Sequence, residues 1–215
     1  MTTDEAFTHI KNTLPATLYV SGKTSTGKST FAAKLKERCG YEIVELDKIV
    51  TGAVIKPLRL PDEKQVFVEI YRLRNHPDWI ERFITAAKQE IAKHQKSGKK
   101  IVIDGAVGNP ITLNELLRSL PDTKILYFHP KNLPTYEQYL TSRFMLANPD
   151  FHAGLPGAFW QLIDDAAFRQ FCKDHKLTTD LQRAIAEYAA LSQSASIERL
   201  KEFQPYFNNL EVVEV

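Results

Sequence analysis

Eight consecutive residues carry the clearest chemical signal in the chain: Gly22-Lys23-Thr24-Ser25-Thr26-Gly27-Lys28-Ser29. They fit G-x-x-x-x-G-K-[ST] without a gap. Average residue usage would place that pattern by chance in roughly one chain in a hundred of this length. Two glycines at this spacing allow backbone angles that other residues resist. Successive amide N–H groups can then converge as an anion nest. A helix beginning near Lys28 adds its unpaired amides and its positive end. Lys28 suits the β- and γ-phosphates of a nucleotide, and the Ser29 hydroxyl suits Mg²⁺. The expected nucleotide-binding run is Gly22, Lys23, Thr24, Ser25, Thr26, Gly27, Lys28, Ser29 and Thr30. A β-rich run, Thr17–Ser21, leads straight into it.

With this loop the chain resembles the P-loop NTPases, and among them small-molecule kinases of the uridine-kinase-like and shikimate-kinase-like kinds. In motif terms the resemblance runs from the first strand to the third. It implies a three-layer α/β/α fold with a five-stranded parallel sheet in the order 2-3-1-4-5, and ATP and Mg²⁺ as cofactors. Five β-rich runs match in number and spacing: Thr17–Ser21, Glu42–Leu46, Lys100–Asp104, Lys124–Phe128 and Leu210–Val215.

Two carboxylates end two of these runs. Asp47 follows Glu42–Leu46, and the carboxyl end of a parallel strand lines the ligand crevice in an open α/β sheet. The resemblance makes Asp47 the group that orients or deprotonates an acceptor hydroxyl, or holds the metal through water. The other possibility is a cap on a helix starting at Lys48. Asp104 closes Ile101-Val102-Ile103-Asp104 and precedes Gly105. By resemblance to kinases with this hydrophobic-run-Asp-Gly pattern, Asp104 holds Mg²⁺ through a water; a simple Asp-Gly turn is the alternative. Motor and transporter ATPases usually place a Glu after that Asp to activate water. Its absence argues against a hydrolytic engine. No N-K-x-D occurs, and Asp104 opens no D-x-x-G, so a GTPase is disfavoured.

Phosphoryl transfer needs further positive charge on the moving group. The resemblance makes Arg143 the lid arginine, on a helix leading into Asn148–Gly157 (NPDFHAGLPG); a solvated helix arginine is the alternative. Arg59, Arg72 and Arg74 lie between strands two and three. They either bind an anionic substrate, for which Arg is the bidentate choice, or are solvated helix charge. His129 follows strand four and either reaches the crevice or sits in a strand-end turn. His152 falls in the lid segment. Tyr71, Trp79 and Phe83 line an acceptor pocket or pack in the core.

Helical patterns must connect the strands. Phe31, Leu35 and Cys39 repeat at four, with Gly40 as a stop. Ile80, Phe83, Ile84, Ala87 and Ile91 form an apolar stripe. Leu113, Leu116, Leu117 and Leu120 make a short helix ending at Pro121. Another is expected over Tyr136 to Leu146, and two more over Phe159 to Phe203, parted near Leu177–Thr179. Thr51–Pro61 reads as irregular. Strands alternating with helices imply right-handed crossovers and a parallel sheet. The partly alternating LEVVEV suits an edge strand. The expected organisation is a single domain over 1–215, with an acceptor-binding segment at about 48–76 and a lid at about 131–158.

Composition narrows the partners. The chain has 215 residues, with Lys+Arg 28 against Asp+Glu 26, net +2. It is long enough to bury a core without staples, and its charge offers no nucleic-acid footprint. Two cysteines, Cys39 and Cys172, are too few for a disulfide framework and suit reduced thiols in the cytoplasm. Cys172 and His175 alone are a weak metal signal. The polar N-terminus has no signal-peptide pattern, and no apolar run is long enough to span a membrane. The expectation is an ATP- and Mg²⁺-dependent phosphotransferase acting on a hydroxyl of a small-molecule acceptor, with the oligomeric state left open. The alternatives are a regulatory nucleotide-binding P-loop protein without transfer activity and a polynucleotide 5′-kinase. The latter needs a basic stripe with interleaved aromatics, which is absent beyond short clusters such as KHQKSGKK.

Overall fold

In the computed structural model, residues 1–58, 77–120, 122–145, 173 and 181–215 are described. The elements in chain order are α1 (Thr3–Thr13), β1 (Thr17–Gly22), α2 (Lys28–Cys39), β2 (Glu42–Glu45), α3 (Leu46–Ile49), α4 (Pro77–Lys96), β3 (Ile101–Asp104), α5 (Pro110–Leu117), β4 (Lys124–His129), α6 (Leu133–Met145), α7 (Leu181–Phe203) and β5 (Leu210–Glu214). The five strands form one sheet in the order β2-β3-β1-β4-β5. Every pairing is parallel, with Thr17 opposite Ile101, Tyr19 opposite Ile125, Glu42 opposite Ile101 and Ile125 opposite Leu210. The expected sheet and order are therefore present.

Strand alternation divides the core in two. On one face Leu18, Val20, Val102, Leu126 and Phe128 pack against Phe7 and Ile10 of α1 and Phe31 and Leu35 of α2. On the other, Tyr19, Ile101, Ile103, Ile125 and Tyr127 meet the stripe of α4, the leucines of α5 and Phe203 of α7. The apolar runs of β1, β3 and β4 are explained by this double covering. At the edge, β5 buries Val213, while Leu210, Glu211 and Val212 are half-buried.

Several boundaries differ from expectation. Helix α1 lies in the stretch read as merely polar. Thr2 and Glu5 form a reciprocal capping box: the Thr2 N–H donates to Glu5 Oε2 at 2.7 Å and the Glu5 N–H to Thr2 Oγ1 at 3.3 Å. Ala6, Phe7 and Ile10 then bury one face of the helix. The Thr-x-x-Glu spacing was the available signal. The segment after β2 is also more regular than expected. Helix α3 runs on into a π-helical turn over Val50–Ile55 and a 3-10 turn over Lys56–Leu58. The Thr51 hydroxyl donates to the Asp47 carbonyl at 2.9 Å, and Val54 is buried in the core. Gly40 ends α2 in the left-handed conformation, as expected. Helix α5 begins at Pro110, capped by Asn109 Oδ1, which accepts from the Ile111 and Thr112 amides. Helix α7 is continuous from Leu181 to Phe203; the expected break at Leu177–Thr179 and the helix before it lie outside the described residues. Among the described residues, no helix is long and apolar enough to cross a membrane.

Candidate active site

The fold brings the carboxyl ends of β1, β2 and β3 together, and the phosphate loop leaves from β1, the middle strand of the sheet. Gly22 has φ 132°. A Cβ there would run into the backbone of Phe128 on β4, since the two residues are paired across the sheet. The glycine therefore lets the loop turn away against its neighbour strand. Gly22→Ala is expected to cost about 3 kcal/mol or more, because strained backbone and a backbone collision act together. Urea unfolding would read this as a lower midpoint with an unchanged slope.

Beyond Gly22 the loop curls. Ser25 sits at φ 59° and Gly27 at φ 81°, left-handed positions that help turn amides inward. The buried Thr26 hydroxyl donates to the Lys23 carbonyl at 2.7 Å. The Lys28 ammonium donates to that same carbonyl. From outside the loop, the Tyr136 hydroxyl of α6 donates to the Thr24 carbonyl at 3.0 Å. Helix α2 starts at Lys28 with Gly27 at its N-cap and has no acidic residue in its first turn. Its positive end is thus left for a ligand anion. Ser29 and Thr30 are exposed there.

Three carboxylates gather at the carboxyl ends of β2 and β3, on one side of this loop. Asp104, at the end of β3, is buried, stands opposite Glu45 of β2 and lies near Ser29, which acts on its carboxyl. Burial holds the Asp104 carboxyl above its ordinary range; Ser29 and the Lys28 charge oppose this, and Glu45 adds to it. Asp47 lies within α3, and the N-cap position belongs to Glu45, so Asp47 does not cap a helix starting at Lys48. Solvent reaches Asp47, yet protein crowds its other sides. That desolvation raises its pKa, the Asp104 charge raises it further, and Lys28 pulls it back. Access and a raised pKa coexist on the wall of a crevice. Glu45, not singled out from sequence, completes the acidic wall and pairs with Lys48 at 2.6 Å. Gly105 has φ 148°, and a Cβ on it would stand 2.7 Å from Leu46 Cβ, so the turn after Asp104 fits closely over α3.

The Asp104 carboxylate costs stability once ionised. A group whose folded pKa is raised imposes no penalty below its unfolded value, here 3.8, and the full penalty above its folded value. Asp104→Asn is therefore expected to raise the melting temperature of the nucleotide-free protein at pH 7. The scale is about 2–4 °C per kcal/mol for a chain of this size. The gain should vanish as the pH falls below the unfolded value, which a pH series of thermal scans would read.

The other candidate residues separate from the crevice or from view. His129 Nδ1 lies 2.9 Å from Ser196 Oγ on α7, and Ser196 donates to the Tyr127 hydroxyl at 3.3 Å. His129 thus ties α7 to β4, and burial lowers its pKa. Trp79 and Phe83 stack with centroids 5.8 Å apart, and Phe83 is a core residue. Arg143 falls on α6, but its side chain lies outside the described residues, as do Arg59, Arg72, Arg74, Tyr71, His152, Cys172 and His175. Among the described residues no group of three His, Cys, Asp or Glu side chains is placed to hold a metal ion. Magnesium needs fewer: it is ordinarily held by one or two protein groups, phosphate oxygens and water. The Ser29–Asp104 pair beside an open anion nest fits that demand.

Sheet order and parallel pairing define a three-layer α/β/α fold with a five-stranded parallel sheet, and a glycine-hinged loop joins its middle strand to α2. A gluconokinase from Sinorhizobium meliloti is similar at 14% identity over 86% of this chain and 97% of that one, with a TM-score of 0.43. A shikimate kinase from Bacteroides thetaiotaomicron is similar at 14% identity over 87% and 97%, with a TM-score of 0.40. A dephospho-CoA kinase from Campylobacter jejuni is similar at 14% identity over 93% and 89%, with a TM-score of 0.44. No family model matches the chain, and no curated protein does.

Proposed function

We propose that this protein is an ATP- and Mg²⁺-dependent phosphotransferase that acts on a hydroxyl of a small metabolite. The observation that carries the proposal is that Lys28, Asp104 and Asp47 lie close enough to act on one another's charge, beside a helix that starts at Lys28–Ser29 with no acidic residue in its first turn. Lys28 and the loop amides bind the β- and γ-phosphates. Ser29 and Asp104 are the residues that would hold Mg²⁺, which neutralises charge on the phosphates when bound. Asp47, solvent-accessible and kept basic enough by its surroundings, takes the acceptor's proton. A bond forms between the acceptor oxygen and the γ-phosphorus, the bond to the β-phosphate oxygen breaks, and ADP leaves.

The proposed domain plan follows the same logic. The acceptor segment at about 48–76 begins beside Asp47, and the lid at about 131–158 begins on α6, which carries Arg143 as the proposed lid arginine. Arg59, Arg72 and Arg74 are proposed contacts for the acceptor. The test is a coupled assay of MgATP against nucleosides, sugars, vitamins and hydroxy acids. Metabolite-stimulated ADP release, with phosphate recovered on the acceptor, supports transfer. ATP binding with no such stimulation by any member of the set overturns it in favour of a regulatory nucleotide-binding protein.

A further inference from the structure

The phosphate loop holds a strained residue in place. Ser25 sits at φ 59°, a left-handed position that a residue with a Cβ resists. Such a residue persists only where its surroundings over-determine it. Two successive carbonyls show what does so. The Lys23 carbonyl is engaged from within the loop, by the Thr26 hydroxyl at 2.7 Å and by the Lys28 ammonium. The next carbonyl, that of Thr24, is engaged by another element: the Tyr136 hydroxyl on α6 donates to it at 3.0 Å.

Tyr136 is itself firmly placed. It is buried, and so is Leu140 one turn further along α6. The first turn of the helix is fastened on several sides. Asn132 Oδ1 accepts from the Thr135 amide at 3.1 Å. The Lys131 and Asn132 amides donate to the Val215 oxygen at 2.8 and 3.0 Å, which ties the helix to the end of β5. The Gln193 side-chain amide, on α7, donates to the Pro130 and Lys131 carbonyls at 2.7 and 2.8 Å. The hydroxyl therefore meets Thr24 from a rigid mount.

A peptide unit is planar and trans, so its C=O and N–H point in opposite directions. Holding the Thr24 carbonyl toward Tyr136 turns the Ser25 N–H the other way. Rotation of the same peptide would also change φ at Ser25, so one bond restrains both. We propose that Tyr136 is a positioning residue of the phosphate loop: its hydroxyl holds the Thr24–Ser25 peptide so that the Ser25 amide is presented to a phosphate before any nucleotide arrives. The proposal rests on reading the loop as the nucleotide site. Tyr136 touches no reacting atom and acts through the peptide it holds. Its effect on affinity runs through population: where only a fraction of free loops has the binding geometry, the apparent Kd rises by the inverse of that fraction.

The test uses the full chain as wild type, Tyr136→Phe and Asn209→Ala. Tyr136→Phe keeps the ring and removes the hydroxyl. Asn209→Ala removes a side-chain bond to the Thr123 carbonyl at the opposite end of the sheet and serves as a comparison for lost stability. By calorimetry, Tyr136→Phe is expected to weaken MgADP and MgATP alike by roughly fivefold, the scale of one neutral hydrogen bond. Asn209→Ala is expected to lower the melting temperature and keep both affinities within about twofold, since distant sites act independently. A tyrosine that only packs α6 would behave like Asn209→Ala. Amide NMR gives a second readout. The Ser25 amide of wild type is expected to shift when MgADP binds. In nucleotide-free Tyr136→Phe that amide is expected to be displaced already and to exchange with solvent deuterium faster. Equal affinities in wild type and Tyr136→Phe, an equal loss in Asn209→Ala, or a Ser25 amide that stays put while wild type binds MgADP each overturns the proposal. If wild type binds no MgADP, the nucleotide reading falls instead, and the nucleotide-free Ser25 amide still judges whether Tyr136 holds the loop.

Discussion

Lys28→Ala is expected to strip the protein of nucleotide affinity and turnover. The Lys28 ammonium supplies positive charge at the loop and donates to the Lys23 carbonyl across the curl. Removing it deletes a charged hydrogen bond to phosphate, which costs roughly ten- to a hundredfold in affinity. The loss in turnover is larger, on the order of a hundred- to a thousandfold, because charge on the moving phosphoryl peaks in the transition state. A second effect compounds the first. Lys28 is the cation that lowers the pKa of both Asp47 and Asp104. Without it the acidic wall repels the triphosphate, and both carboxyls rise further. Calorimetry with MgATP and MgGTP, alongside the transfer assay, checks this; wild-type affinity in the variant would remove the phosphate-loop assignment.

Asp47→Asn is expected to leave MgATP affinity nearly intact and to cut transfer by roughly a hundredfold or more, the range for losing a positioned general base. The substitution keeps the shape of the residue within α3 and removes only its charge and basicity. The pH profile separates a base from a spacer. A base works only when ionised, so wild-type transfer should fall as the pH drops through the raised Asp47 pKa. That acid limb lies above the ordinary value of 3.8, because desolvation and the Asp104 charge both push the carboxyl up. In Asp47→Asn the residual rate should lose the part of this limb that belongs to Asp47. Equal rates in the two proteins would reduce Asp47 to a structural residue.

What could be read from the chain follows from how local each interaction is. The five strands were legible because a strand covered on both faces must be apolar along its length, as Ile101-Val102-Ile103 and Ile125-Leu126-Tyr127-Phe128 are. The sheet order came with the resemblance, and the parallel registers agree with it. Helix α1 was missed because only Ala6, Phe7 and Ile10 face the core, too few for a strong stripe; its cap was the better signal. The turns after β2 were hidden for a different reason. Thr51 and Val54 settle there through a hydrogen bond to Asp47 and a place in the core, neither visible in propensity alone.

The candidate site divides along the same line. The turn from β1 into α2 was legible in the sequence alone, because glycines at set intervals permit the positive-φ positions found at Gly22 and Gly27. Its surroundings were decided by tertiary structure. Glu45 meets Asp104 only through the β2–β3 register. Tyr136 reaches the Thr24 carbonyl only because α6 packs beside the loop. Ser196 and Phe203 reach Tyr127 only because α7 docks on β4. Charges so distant along the chain acquire a common field only when packing brings them within a few ångströms, and no spacing in the sequence encodes that distance.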